Sequence, residues 1–169
     1  MGIYNKLNNN NKHKIMFVCL GNICRSPAAE AVFNALLEKE QLTDMFEVDS
    51  AGTYAGHTGE PADRRMRRAA SARGIEIPHR ARQIRSVDFE RFDHIIVMDD
   101  YNYEDVHRLA PSRELANKID RMRDFFSEET RRRFNYVPDP YYEGHEGFEI
   151  VLDLLEEGCR NLLSHLQQK

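Results

Sequence analysis

Two periods of hydrophobic patterning alternate along this chain. Ile15-Met16-Phe17-Val18 is a short unbroken apolar run, the pattern of a strand covered on both faces, and predicts a strand over Ile15–Cys19. From Ser26 to Glu40 the period changes: Ala28, Ala29, Val32, Phe33, Leu36 and Leu37 recur at helical spacing. Ser26 suits the N-cap of that helix and Pro27 its first helical position. Phe46–Asp49 reads as a second strand, followed by a loop rich in Gly and Thr. Pro61–Arg73 is helical, with Gly74 placed to end it. Ser86–Phe92 is a short helix, His94–Met98 a third strand, and Asp100–Ala110 a helix closed by Pro111. Lys118–Met122 gives a fourth strand. The last helix carries the clearest stripe, with Phe148, Val151, Leu152, Leu155, Cys159, Leu162 and Leu166 on one face and Glu149, Glu156 and Arg160 outside it.

Strands alternating with helices predict an α/β fold: a single domain with a four-stranded, parallel, twisted sheet and helices on both faces, a Rossmann-like three-layer arrangement. In such sheets ligands bind at the carboxyl ends of the strands. The first three strands end at Cys19, Ser50 and Asp99, which puts those side chains on one edge. A length of 169 residues suits one domain. A net charge of −4 leaves no global basic field for nucleic acid. No apolar run approaches the roughly 18 residues of a membrane span. Three cysteines fit a reducing, cytoplasmic setting with no disulfide framework, and their spacing offers no zinc quartet, so neither metal nor organic cofactor is expected. Residues 1–12, with Asn8 to Asn11 in a row, read as a disordered leader to a domain spanning 13–169.

The chemistry concentrates in Val18-Cys19-Leu20-Gly21-Asn22-Ile23-Cys24-Arg25-Ser26-Pro27. This loop hangs between a strand end and a helix start, where backbone N–H groups and the positive end of the helix dipole converge on one point. Such a point holds a doubly charged phosphate, and the same field favours the thiolate of Cys19. Arg25 adds a fixed positive fork. Gly21 lets the backbone turn closely, and Asn22 tolerates the positive φ that a tight anion nest requires.

The segment resembles the active-site loop of the low-molecular-weight protein tyrosine phosphatases. Val137-Pro138-Asp139-Pro140-Tyr141-Tyr142 resembles their general-acid loop, and Asp49-Ser50-Ala51-Gly52-Thr53, His79 to Gln83 and Val97-Met98-Asp99 match in order and approximate spacing. The likeness covers about residues 13–167. It implies the phosphotyrosine phosphatase I-like fold and hydrolysis of phosphotyrosine through a phosphocysteine. In that scheme Cys19 is the nucleophile and Asp139 the general acid and base. Arg25 and the loop residues Leu20, Gly21, Asn22, Ile23, Cys24 and Ser26 bind phosphate. It further implies that Ser26 donates to the sulfur, that Ser50 and His79 hold Asn22, and that Asp99 steadies Arg25. Cys24 would be the redox partner of Cys19.

Tyr141 and Tyr142 match the family's aromatic wall. Many relatives carry a tryptophan in the loop after the second strand, whereas this chain has none; Gly56 stands there, with Tyr54 and His57 beside it. Tyr54 is therefore the expected second wall. Thioredoxin-linked arsenate reductases share the loop but need further cysteines, and none lies between Cys24 and Cys159. Protein-arginine phosphatases usually place threonine where Ile23 stands; isoleucine offers apolar contact and favours an aryl substrate. A binding module without turnover would have no use for Asp139. The expected partners are phosphotyrosine-containing proteins, among them a bacterial tyrosine kinase if the source is bacterial, with no nucleic acid or membrane and a monomeric or weakly dimeric state.

Overall fold

A computed structural model describes residues 12–141 and 144–168. β1 (His13–Cys19) lies at the centre of a sheet ordered β2-β1-β3-β4, with β2 at Phe46–Gly52, β3 at His94–Val97 and β4 at Ile119–Arg121. Every pairing is parallel. The helices are α1 (Arg25–Lys39), α2 (Arg64–Ser71), α3 (Asp88–Arg91), α4 (Asp100–Leu109), α5 (Arg113–Ala116), α6 (Glu128–Arg133) and α7 (His145–Gln167). All four predicted strands form. α5 and α6, each one or two turns long, carry too few residues for a periodic pattern to show in sequence.

Side chains of β1 alternate between two cores, as a pleated strand requires. Ile15, Phe17 and Cys19 face the side covered by α1, α2 and α7. Met16 and Val18 face the side covered by α3, α4 and α5. The predicted stripe of α7 is buried in full against the first core. Each of its leucines contributes on the order of 1.5–3 kcal/mol by leaving water.

Most boundaries differ from the sequence reading by one to three residues, and three of the shifts have a clear local reason. β2 runs on to Gly52 because Ala51 and Gly52 pair with Val18 and Cys19. α2 begins at Arg64 rather than Pro61, since Pro61 bridges Arg80 and Asp63 supplies the cap, accepting from the N–H groups of Arg65 and Met66. α1 begins at Arg25, with Cys24 at the N-cap and no side-chain cap bond. Ser26 is therefore inside the helix and its hydroxyl is free for other work. Pro27 falls within the first four residues, whose N–H groups have no helical partner, so its missing donor costs nothing. Gly74, at φ +77°, does end α2: its N–H reaches Ser71 O and that of Ile75 reaches Ala70 O, a Schellman turn.

Among the described residues no helix is long and apolar enough to cross a membrane. Leader residues 1–11 and Tyr142 lie outside the described residues.

Candidate active site

Cys19 is the last residue of β1 and Arg25 the first of α1, so the five residues between them form a loop between the central strand and a 15-residue helix. Outer neighbours occupy three of its carbonyls. Cys19 O accepts from Thr53 N, Leu20 O from Tyr54 N, and Ile23 O from Asp63 N. In a planar trans peptide the N–H points opposite to the C=O, which turns the N–H groups of Leu20, Gly21 and Cys24 toward the inside of the loop. An anion cradle is thus formed by holding the loop from outside.

Asn22 has φ +56°, the left-handed conformation expected of it. Every hydrogen-bonding position of its amide is used. Its Nδ2 donates to Ser26 Oγ at 2.7 Å and Ser50 Oγ at 3.0 Å. Its Oδ1 accepts from His79 Nε2 at 2.8 Å and from the Arg82 backbone N–H at 2.9 Å. Asn22, Ser26 and Ser50 are buried, so this network lies behind the cradle. Ser26 Oγ is 3.0 Å from Cys19 Sγ and 3.3 Å from Ala51 O. With Asn22 donating into the oxygen, the hydroxyl proton has two acceptors, the sulfur at 3.0 Å and the Ala51 carbonyl at 3.3 Å.

Behind His79 sit two carboxylates, with Nδ1 at 3.2 Å from Glu30 Oε1 and 3.7 Å from Asp49 Oδ1. Glu30, Asp49 and His79 are the one group among the described residues whose potential metal-ligating atoms lie within 4.8 Å of one another. Burial, reinforced by Asp49, pushes the Glu30 carboxyl up to about 7. Burial also lowers the basicity of His79, against the pull of Asp49. Arg82 grips Asp49 and the buried Asp88 at 3.0–3.3 Å, tying this layer to α3.

Arg25 is 2% exposed. Its Nη1 donates to Asp99 Oδ2 at 2.6 Å and to Val137 O at 3.1 Å, leaving Nη2 directed toward Asp139 Oδ2, 3.6 Å away. Burial opposes its charge, but Cys19, Asp99 and Asp139 together outweigh that and hold the guanidinium charged. Asp99 is itself fixed by capping α4, with Oδ1 accepting from Asn102 N at 2.8 Å.

A cleft of about 240 Å³ opens over the loop, with Cys19 and Arg25 at its floor, Asp139 and Tyr141 on one side, and Tyr54 and His57 on the other. The Tyr54 ring lies over Gly56: a Cβ there would come within 2.2 Å of ring atoms. Tyr54 therefore occupies the space that a side chain at 56 would take. His57 meets Tyr54 edge-on and is held by Glu60 at 2.7 Å.

Cys19, Cys24 and Cys159 are free thiols, all buried. Burial pushes the thiols of Cys24 and Cys159 up, so neither is a thiolate in this state.

The structure brings every described residue predicted for the site to one place, in two layers. Cys19, Leu20, Gly21, Ile23, Cys24, Arg25, Tyr54, Asp139 and Tyr141 line the cleft, while Asn22, Ser26, Ser50, His79 and Asp99 support it from behind. Glu30, Asp49 and Arg82 were not singled out as supports by the sequence, where isolated charged residues on helix, strand and loop have no distinguishing spacing.

The family model described as low molecular weight phosphotyrosine protein phosphatase matches residues 14–169. A Streptomyces coelicolor protein named low molecular weight protein-tyrosine-phosphatase is 38% identical over 157 residues, covering 93% of this chain and 95% of its own. The crystal structure of a protein tyrosine phosphatase from Entamoeba histolytica superposes with a TM-score of 0.88 at 43% identity, over 93% of this chain and 98% of the other. That of a Drosophila arginine phosphatase superposes at 0.83 with 31% identity, over 90% and 97%. The chain belongs to the low molecular weight phosphotyrosine protein phosphatase family.

Proposed function

We propose that this protein hydrolyses phosphotyrosine in protein substrates through a phosphocysteine intermediate. The observation that carries the reading is the placement of a buried thiol and guanidinium on the cleft floor with one carboxyl group facing them across it. Cys19 attacks phosphorus as a thiolate, forming the S–P bond as the bond to the tyrosine oxygen breaks. Asp139, protonated at that point, gives its proton to the departing phenoxide. The Nη2 edge of Arg25 and the inward N–H groups stabilise the charge spread over the equatorial oxygens. In the second half-reaction Asp139 is a carboxylate and takes a proton from the attacking water. The S–P bond breaks, inorganic phosphate forms, and the Ser26 hydroxyl supports the departing thiolate from 3.0 Å.

The aryl preference rests on Tyr54 and Tyr141, both exposed at the rim, which would flank a phenyl ring between floor and mouth. Ile23 contributes an apolar patch to the same wall. The partners are then phosphotyrosine-bearing proteins, with a tyrosine kinase as a candidate among them. Three unpaired thiols support a reducing, cytoplasmic setting.

The test is steady-state hydrolysis of phosphotyrosine, phosphoserine and phosphoarginine peptides with EDTA present, for wild type and Cys19→Ser. Selective turnover of phosphotyrosine that Cys19→Ser abolishes is the expected result. Preference for phosphoarginine would reassign the substrate. Absence of turnover of any peptide, with vanadate still bound, would leave a phosphate-binding module.

A further inference from the structure

Arg65, in the first turn of α2, makes contacts that neither the cradle nor the core requires. Its Nη2 donates to the backbone oxygen of Tyr141 at 2.8 Å, and its guanidinium carbon lies 5.6 Å from the Tyr141 ring centroid and 4.9 Å from that of Phe148. Its Nε and Nη2 are fixed from the other side by Asp63, at 3.2 and 3.1 Å, so the fork is oriented. Tyr141 in turn donates its own N–H to Asp139 Oδ1 at 3.1 Å, and Asp139 Oδ2 faces Arg25 at 3.6 Å. A continuous chain thus runs from α2 through the Tyr141 backbone to the carboxyl group over the cleft.

We propose that Arg65 is a positioning residue that latches the acid loop and sets the aim of Asp139 while touching neither substrate nor phosphate. The inference rests on Asp139 being the general acid. Upstream, the loop is fastened at Val137, whose N–H donates to Met98 O and whose oxygen accepts from Arg25. Asp139 lies between this fastening and the Arg65–Tyr141 contact, on a segment stiffened by Pro138 and Pro140. Two fastenings define a direction for the carboxyl that one would leave loose, and proton delivery is sensitive to such errors: misplacement by about 1 Å costs on the order of a hundredfold.

Three features follow. Loss of the latch should lower kcat/KM for phosphotyrosine about tenfold. The loss should be smaller for p-nitrophenyl phosphate, whose leaving group needs little protonation. It should vanish when Asp139 is already gone, because Arg65 acts only through it.

The experiment compares wild type, Arg65→Met, Arg65→Lys, Asp139→Ala and Arg65→Met/Asp139→Ala on both substrates, with vanadate affinity and thermal midpoint measured alongside. Methionine keeps an apolar stem against Phe148 and removes the fork; lysine restores a single donor and recovers part of the loss. The proposal predicts unchanged vanadate affinity, a larger loss on phosphotyrosine than on p-nitrophenyl phosphate, and less than a twofold further effect of Arg65→Met in the Asp139→Ala background. Equal losses on both substrates, or losses that multiply in the double variant, would overturn it even if Arg65→Met melts earlier. If Asp139→Ala is fully active, the general-acid reading falls, and the latch falls with it.

Discussion

The two sides of the cleft are built differently. The nucleophile side is interior: Cys19, Asn22, Arg25, Ser26 and Ser50 are all buried, and the loop between Cys19 and Arg25 is held at three carbonyls and through every hydrogen-bonding position of Asn22. The acid side is peripheral. Asp139 is 41% exposed at its side chain, and its carboxylate is held by one backbone N–H and a longer approach to Arg25. Binding a dianion demands many donors at fixed points before the ligand arrives. Delivering a proton demands one group that meets both a leaving oxygen and, later, a water. The first task suits a rigid core, and the second suits a segment fastened at its ends and open to solvent.

Substitutions can break that contrast. Removing the acid by Asp139→Ala should cost the most activity with the least damage to the fold: about 10²–10³-fold in kcat/KM for phosphotyrosine, with a thermal midpoint near wild type. A midpoint lowered by many degrees would show the acid loop to be structural after all.

On the opposite side, Asn22→Ala should harm stability and activity together. It strands the Arg82 N–H and the His79 donor, and puts alanine at positive φ, for a loss of about 2–4 kcal/mol. We expect kcat/KM to fall roughly tenfold or more as the cradle loosens. Denaturant unfolding beside kinetics checks both; a variant with full stability and reduced turnover would mean the network serves chemistry alone.

Tyr54→Ala tests the wall opposite Tyr141. It should raise KM for phosphotyrosine peptides several-fold, consistent with about 0.5–1.5 kcal/mol for an aromatic contact, and leave kcat nearly unchanged. A fall in kcat with KM unchanged would mean Tyr54 shapes the loop rather than the substrate site.

Smallest in activity but distinctive in pH is Glu30. Its carboxyl, raised by burial to about 7 from an ordinary 4.5, binds its proton more tightly in the folded state. The stability it contributes is therefore full below about 4.5 and is lost as pH rises through about 7, by up to about 3 kcal/mol. His79, depressed by burial, works in the opposite sense, favouring the fold above its ordinary value. Asp49 and Arg82 face the same spot. Glu30→Gln should remove the downward slope of stability between pH 4.5 and 7 and leave the His79 loss at lower pH, as read by thermal midpoints across that range. An unchanged slope would assign it to other groups.

What the sequence revealed follows the same division. Cys19, Arg25 and the strand and helix around them were legible because local pattern and chemistry coincide within ten residues. Asn22 was legible because positive φ narrows the choice of residue. Ser26 was misread as a cap, because the pattern Ser-Pro before an apolar run is a good helix start; its closeness to Cys19 was expected from the family resemblance, and the packed structure adds the bond from Asn22. Pro61 was taken into α2 because nothing nearby signals its pairing with Arg80. Arg65 was one arginine among several on a basic helix, and its contact lies 76 residues away. Contacts at that range leave no periodic trace.

Cys19 closes the hydrogen-bonded ladder between β1 and β2, opposite Gly52. Its backbone position is a property of the sheet, so displacing it means fraying the carboxyl end of the central strand. The acid loop has no such insurance, and the cheaper, local openings of the native state will detach it first. Warming the protein should therefore separate two losses. Turnover of poor leaving groups should fade while the sulfur still binds vanadate and still reacts with an alkylating agent, and the molecule would spend that interval as a phosphate trap before it ceases to be folded at all.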